Sequence, residues 1–233
     1  MNRSTTLVRH GPRLTTLRTA YAVGAVALGL TQRRLAAADP KGVIVVPPVP
    51  AKLEVPSGNR VYLEGYALGT QNYICMPCPN AITPAEKCPA SGLAWAFIGP
   101  QATLFDAQVG DGKQIITHFN SPNPAKAGQE CPTWQDSRDT SSVWGNNSFP
   151  PAQSSTDPAF VADGAIPWLL LPAAGSQVGP TGGHKLTKTT FIQRLNTSGG
   201  VAPSADTCAA AADAGKKALV PYSADYFFYQ ASN

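Results

Sequence analysis

AIPWLLLPA (residues 165–173), TTFIQRLNTSGG (189–200) and VPYSADYFFY (220–229) are the stretches whose reading decides the fold. Trp168 to Leu171 is an unbroken apolar run of strand length, as expected of a strand covered on both faces. Thr189 to Leu195 is rich in β-branched and aromatic residues, and the following Asn196-Thr197-Ser198-Gly199-Gly200 reads as a turn. Ser223 to Tyr229 reads as an aromatic strand.

The same signals recur upstream. Arg60 to Ala67 and Thr70 to Cys75 read as a hairpin across Gly69. Leu93 to Ile98 and Ala102 to Phe105 flank Gly99-Pro100, and Gly110-Asp111-Gly112 precedes a strand over Lys113 to Phe119. Asn120 to Cys131 and Asn146 to Asp163 read as loops. The chain carries 21 glycines and 22 prolines, a density of punctuation that favours many short strands over helices. One short helix is expected over Ala205 to Ala214, with Ser204 as N-cap and Gly215 in the C′ position. The fold class is therefore mainly β, an antiparallel sandwich or barrel with one short helix near the C-terminus.

Residues 1–38 have the layout of a secretory signal. Arginines stand at positions 3, 9, 13, 18, 33 and 34, an 11-residue apolar run spans Ala20 to Leu30, and Ala36-Ala37-Ala38 precedes Asp39. An 11-residue run falls well short of the roughly 20 residues that span a bilayer, so no transmembrane segment is read here. Six of the 18 basic residues and none of the 14 acids precede residue 39, so the remainder holds 12 and 14, a net of −2. The overall charge of +4 thus belongs to the leader and gives no support to nucleic-acid binding. Residues 39–52 read as a Pro-rich extended lead-in, since Pro47, Pro48 and Pro50 exclude a helix, and 53–233 as one β domain.

Together with VPSGNRVYLEGYALGTQNYIC (55–75) and GPQATLFD (99–106), the C-terminal stretches resemble the secreted bacterial and fungal family called domain of unknown function 3455. The resemblance covers nearly all of the chain after residue 50 and implies no established activity. It also implies that Cys75 and Cys208 belong to the family's common framework and pair with each other. Cys78, Cys88 and Cys131 fall where the chain departs from the family pattern. A local Cys78–Cys88 bridge with Cys131 free is the first expectation, with Cys78–Cys131 or Cys88–Cys131 as alternatives. Only one CxxC pair is present, so no metal site is expected.

Catalytic signatures are absent from the sequence. Gly175-Ser176-Gln177-Val178-Gly179 has the wrong spacing for a nucleophile elbow, there is no H-E-x-x-H, and Gly179 to Lys185 fails the phosphate-loop register. No cofactor is expected, because a nicotinamide dinucleotide needs a phosphate-binding βα turn that this chain lacks. Two histidines follow the leader, His118 and His184. The resemblance implies a motif in which a histidine is followed by Pro-Thr-Trp and a polar run, here His118 and Pro132-Thr133-Trp134-Gln135-Asp136, separated by a longer insertion. If the halves converge, His118 with Asp136 or Asp139 makes a general base oriented by a carboxylate; the plainer reading is a histidine bonded to backbone. Trp134 and Trp144 lie beside polar residues and are candidates for stacking on a sugar or another planar ligand. The leading expectation is a secreted, non-enzymatic domain binding a glycan, an envelope component or a partner protein. The alternative is a hydrolase or metal-dependent enzyme built around His118, Trp134 and Asp136.

Overall fold

The computed structural model describes residues 43–78, 88–106, 112–148 and 150–232. The expected leader and the first residues of the lead-in lie outside the described residues. Nine strands follow in order: β1 (Asn59–Pro77), β2 (Leu93–Phe105), β3 (Gln114–Asn123), β4 (Gln129–Asp136), β5 (Ser142–Gly145), β6 (Gln153–Ser155), β7 (Trp168–Gln177), β8 (Thr189–Gly199) and β9 (Lys217–Ala231). Every pairing is antiparallel, in the order β5-β4-β3-β2-β1-β9-β8-β7-β6. Strands β5 and β6 share one edge of β7, β6 taking residues 168–170 and β5 residues 173–177. The β5–β7 pairing closes eight strands into a barrel and leaves β6 outside the ring. Of the two architectures left open by the sequence, the chain adopts the barrel, and closure removes the edges that an open sheet would expose.

Side chains alternate between lumen and outer face. On β9, Tyr222, Ala224, Tyr226 and Phe228 point inward and join Ala102, Leu104, Ile116, Trp134, Val143, Leu171 and Ile192 in the interior cluster. The opposite phase of the same region, with Trp168, Leu170, Leu195, Phe227 and Tyr229, forms a second cluster on the outer face. It is covered by Ile44, Val46 and Val49 of the lead-in and, just after it, by fully buried Leu53 and by Val55. The lead-in is stitched down by Gln193, whose Nε2 donates to the Leu53 carbonyl at 2.6 Å while Tyr229 donates to its Oε1 at 2.5 Å. Strand β7 is therefore apolar on both faces because both faces are covered, as its unbroken run requires.

Four local expectations are corrected. Gly69 does not turn the chain; it lies within the 19-residue β1. A Cβ there would stand 2.2 Å from the Gln101 carbonyl and 2.5 Å from Ala102, so glycine is needed for the close approach of β1 and β2, not for a turn. Asn196 to Gly200 likewise does not end a strand, because β8 continues to Gly199 through a bulge between Leu195 and Ser198. The left-handed conformation at Asn196 (φ 49°) falls within that bulge, while at left-handed Gly199 (φ 67°), beyond it, a Cβ would stand 2.6 Å from the Pro221 carbonyl. Residues 120–131 are mostly strand, interrupted only at Pro124–Gly128, and β6 forms within 146–163.

The short helix expected near the C-terminus does not form. Ala205 to Ala214 forms two 3-10 turns, Ala205–Cys208 and Ala211–Asp213. Alanine's helix propensity is overridden by tethers. Cys208 is bonded to Cys75, and the Ser204 hydroxyl donates to Asp206 instead of capping a backbone N–H. The Asp213 carboxylate accepts from the Ala209 and Ala210 amides at 3.2 and 2.9 Å, bending the chain between the turns. Gly215 then donates to the Cys75 carbonyl at 2.8 Å.

Candidate functional site

One end of the barrel is plugged. The β7–β8 connection folds over it, placing fully buried Leu186 in the interior cluster. The Leu186 amide donates to Ser141 Oγ at 3.1 Å, the Lys185 amide to Asp139 Oδ2 at 2.7 Å, and Lys185 Nζ pairs with Asp136 Oδ2 at 3.0 Å. Asp136 Oδ1 also accepts from the Arg138 and Asp139 amides at 2.9 and 2.8 Å. Burial works against the Asp139 carboxylate, but donors from Ser141, Lys185 and His184 together outweigh it and hold its pKa below the ordinary value. Both acids thus hold the plug in place.

Toward the other end the lumen opens as a cavity of about 550 Å³. Apolar walls come from Leu169 and Leu171 of β7 and Ile192 of β8, with Phe97 and Ile98 of β2 exposed at the rim. His118 and Trp134 meet as a direct cross-strand pair and stack, ring centroids 4.3 Å apart and planes 7° from parallel. Tyr226 closes edge-on against both rings. His118 Nδ1 lies 2.8 Å from the Thr133 carbonyl. A carbonyl only accepts, so Nδ1 carries the proton and Nε2 is left as a bare acceptor. Complete burial, assisted by the nearby Arg194 charge, pushes the His118 pKa down to about 3, and the ring is neutral at physiological pH.

Arg194 lies opposite Leu169 and Tyr226 in the sheet, in phase with inward-facing Ile192. Its Nη2 donates to the Pro167 carbonyl at 2.8 Å. Its charge reaches the tyrosines around it: burial raises the pKa of Tyr73, Tyr222 and Tyr226, and Arg194 partly offsets each rise. Among the described residues the ion pair formed is Lys185–Asp136, and no carboxylate lies within salt-bridge reach of Arg194. Apart from Asp136 Oδ2, which Lys185 engages, five buried side-chain polar atoms among the described residues have no hydrogen-bond partner, and four of them belong to residues lining this cavity: Gln71 Nε2, Asn120 Oδ1, Trp134 Nε1 and Arg194 Nε. Such atoms are rare in folded proteins, and their convergence on one cavity marks it out.

The structure brings together His118 and Trp134 and separates them from Asp136 and Asp139, which serve the plug. Trp144 is buried on the outer face, its Nε1 donating to Ser121 Oγ at 2.9 Å. Cys75 is bonded to Cys208 and Cys78 to Cys88, while Cys131 is buried and reduced, accepting from Asn123 Nδ2 at 3.9 Å. No group of three or more metal-ligating side chains occurs among the described residues. Gln71, Arg194 and Tyr226 escaped the sequence reading. The signal that could have found them is phase, a polar residue at an inward position of an otherwise apolar strand face.

A family model described as "Protein of unknown function (DUF3455)" matches residues 56–230. No curated protein and no solved structure matches the chain.

Proposed function

We propose, for a chain that belongs to the DUF3455 family of proteins of unknown function, that it is a secreted, non-enzymatic β-barrel holding one small, largely apolar ligand in its lumen. The observation that carries this reading is the cavity of about 550 Å³, plugged at one end, apolar along its walls and furnished with a few converging polar atoms. Its volume is that of a small-molecule pocket, and eight strands are the number at which a barrel can enclose one small ligand. The lumen is aromatic and aliphatic, whereas membrane-spanning barrels have polar interiors. Two disulfides and the leader-like N-terminal layout support export. Trp134 is enclosed by His118, Tyr226 and Phe228, and Trp144 is buried outside, so neither offers a sugar an exposed flat ring. An enclosed ligand accounts for these side chains better than a glycan surface does.

The enzymatic alternative has less support. His118 is oriented by a carbonyl, Asp136 is engaged by Lys185 at the plug, and a histidine with pKa about 3 is far from the value a general base needs near neutral pH. The test is native mass spectrometry of residues 39–233 exported by an expression host, with tryptophan fluorescence and thermal melting against a panel of apolar acids, alcohols and aromatics. A co-purifying mass of a few hundred daltons, or a melting shift that Leu171→Trp abolishes by filling the lumen, is expected. Absence of any adduct, quenching or shift across the panel would sink the reading.

A further inference from the structure

The lumen holds a cation that meets no carboxylate among the described residues. Arg194 presents five N–H donors, of which Nη2 is used by Pro167 and Nε lies buried without a partner, while the Tyr226 hydroxyl sits beside the guanidinium as a neutral acceptor. Of the four unpartnered atoms around the cavity, three are donors, on Gln71, Trp134 and Arg194, and one is an acceptor, on Asn120. Gln71 and Trp134 are 2% and 1% exposed, so bulk water does not satisfy them. The acid among the lining residues, Glu130, is exposed at the rim. His118 is neutral and offers a lone pair, not a charge. A cavity with a fixed positive charge, surplus donors and apolar walls is complementary to an anionic head on an apolar body. A neutral hydrocarbon would leave the guanidinium facing apolar groups, an expensive arrangement, and an alcohol would offer it a single uncharged acceptor. The planar fork of an arginine fits a carboxylate with two parallel hydrogen bonds.

We infer that the lumen selects an organic monocarboxylate, its carboxyl group docked on Arg194 and its apolar body filling the space between Leu169, Leu171 and Ile192. This rests on the lumen being a ligand site. His118 Nε2, on the wall that carries Trp134, accepts from any hydroxyl or N–H on the body.

Matched probes separate the charge from the body. 2-Naphthoate with 2-naphthamide, and decanoate with decanol, are titrated into the intact exported protein by calorimetry and by quenching of tryptophan fluorescence. The acid of the better-fitting pair is expected to bind roughly ten-fold or more tightly than its neutral counterpart, the usual advantage of a charge-assisted bidentate contact. Arg194→Gln brings the acid down to the affinity of the neutral probe, and Arg194→Lys, whose melting temperature shows that the barrel remains folded, keeps part of the preference. Equal affinity of acid and neutral partner, or an Arg194→Gln protein that still prefers the acid, overturns the anion inference while leaving the lumen reading in place. Failure of all four probes to bind the wild-type protein overturns both.

Discussion

Acid should expose the buried imidazole as a source of instability. The His118 pKa is pushed down to about 3 by burial, against an ordinary value of 6.5, so the unfolded chain binds this proton more readily than the folded one. Stability from this group is complete above pH 6.5 and drains away as the pH falls from there toward 3. Linkage gives a loss of about 2 kcal/mol at pH 5 and about 3 kcal/mol at pH 4 relative to pH 8, against a total of roughly 5–15 kcal/mol for a domain. In urea, at a slope of about 2 kcal/mol/M, that moves the midpoint down by about 1.5 M at pH 4. Unfolding curves at pH 8, 6, 5 and 4, read by tryptophan fluorescence, are compared for the wild type and His118→Gln. The variant loses the Trp134 stack and starts less stable at pH 8, but its stability falls less between pH 6.5 and 4, so the two curves converge. Carboxylates that protonate at the acid end, Asp139 among them, act in both proteins and cancel in the comparison. Parallel curves from pH 8 to pH 4 would show that the ring charges without penalty, and would remove the argument for a neutral, acceptor-bearing His118.

Three further outcomes follow from the packing. Gly69→Ala drives a Cβ into the Gln101 backbone and should cost roughly 2–3 kcal/mol, seen as a lower melting temperature; an unchanged value would mean that β1 and β2 can part freely. The bridges close segments of very different length, with sequence separations of 133 and 10. Serine in place of Cys75 and Cys208 should therefore cost about 5 kcal/mol, against about 3 kcal/mol for Cys78 and Cys88, and the reverse order in denaturant unfolding would contradict a loop-entropy origin. Asp136→Ala, which strips the acceptor from two amides and from Lys185, should cost roughly 3 kcal/mol and speed hydrogen exchange at Lys185 and Leu186; slow exchange there would show the plug stands without it.

Strand chemistry was legible in the sequence where the local pattern and the tertiary demand coincide. Trp168 to Leu171 and Ser223 to Tyr229 are strands by composition and strands in the barrel. Misreadings came where a punctuating residue served a distant neighbour. Gly69 yields room to Ala102, Asn196 takes up the left-handed turn of a bulge, and Cys208 draws an alanine-rich segment out of the helix that its composition favours. The choice of barrel over sandwich rests on β5 meeting β7 and β9 meeting β1, contacts that no local window contains. The site was half legible. His118 and Trp134 stand out as rare residues, and their pairing requires only that β3 and β4 form a hairpin. Gln71, Arg194 and Tyr226 come from three other strands, and nothing in their immediate neighbours distinguishes them until the lumen-facing phase of each strand is known.

The longest seam of the barrel joins β1 to β9, with residues 59–74 of the first strand in register with 217–231 of the last. Every other joint of the ring can form as the chain is made, hairpin by hairpin, with only β6 intervening between β5 and β7. This one cannot, because its halves are separated by the whole of the intervening chain. Until β9 is available, β1 and β8 are two bare edges and the apolar lumen is a trough open to water. Ring closure is thus the late, cooperative event of folding, slowed by the long loop it must close. A chain truncated before residue 217 is an unsealed ribbon with no wall at Tyr222, Tyr226 and Phe228, prone to pairing its edges with those of other copies.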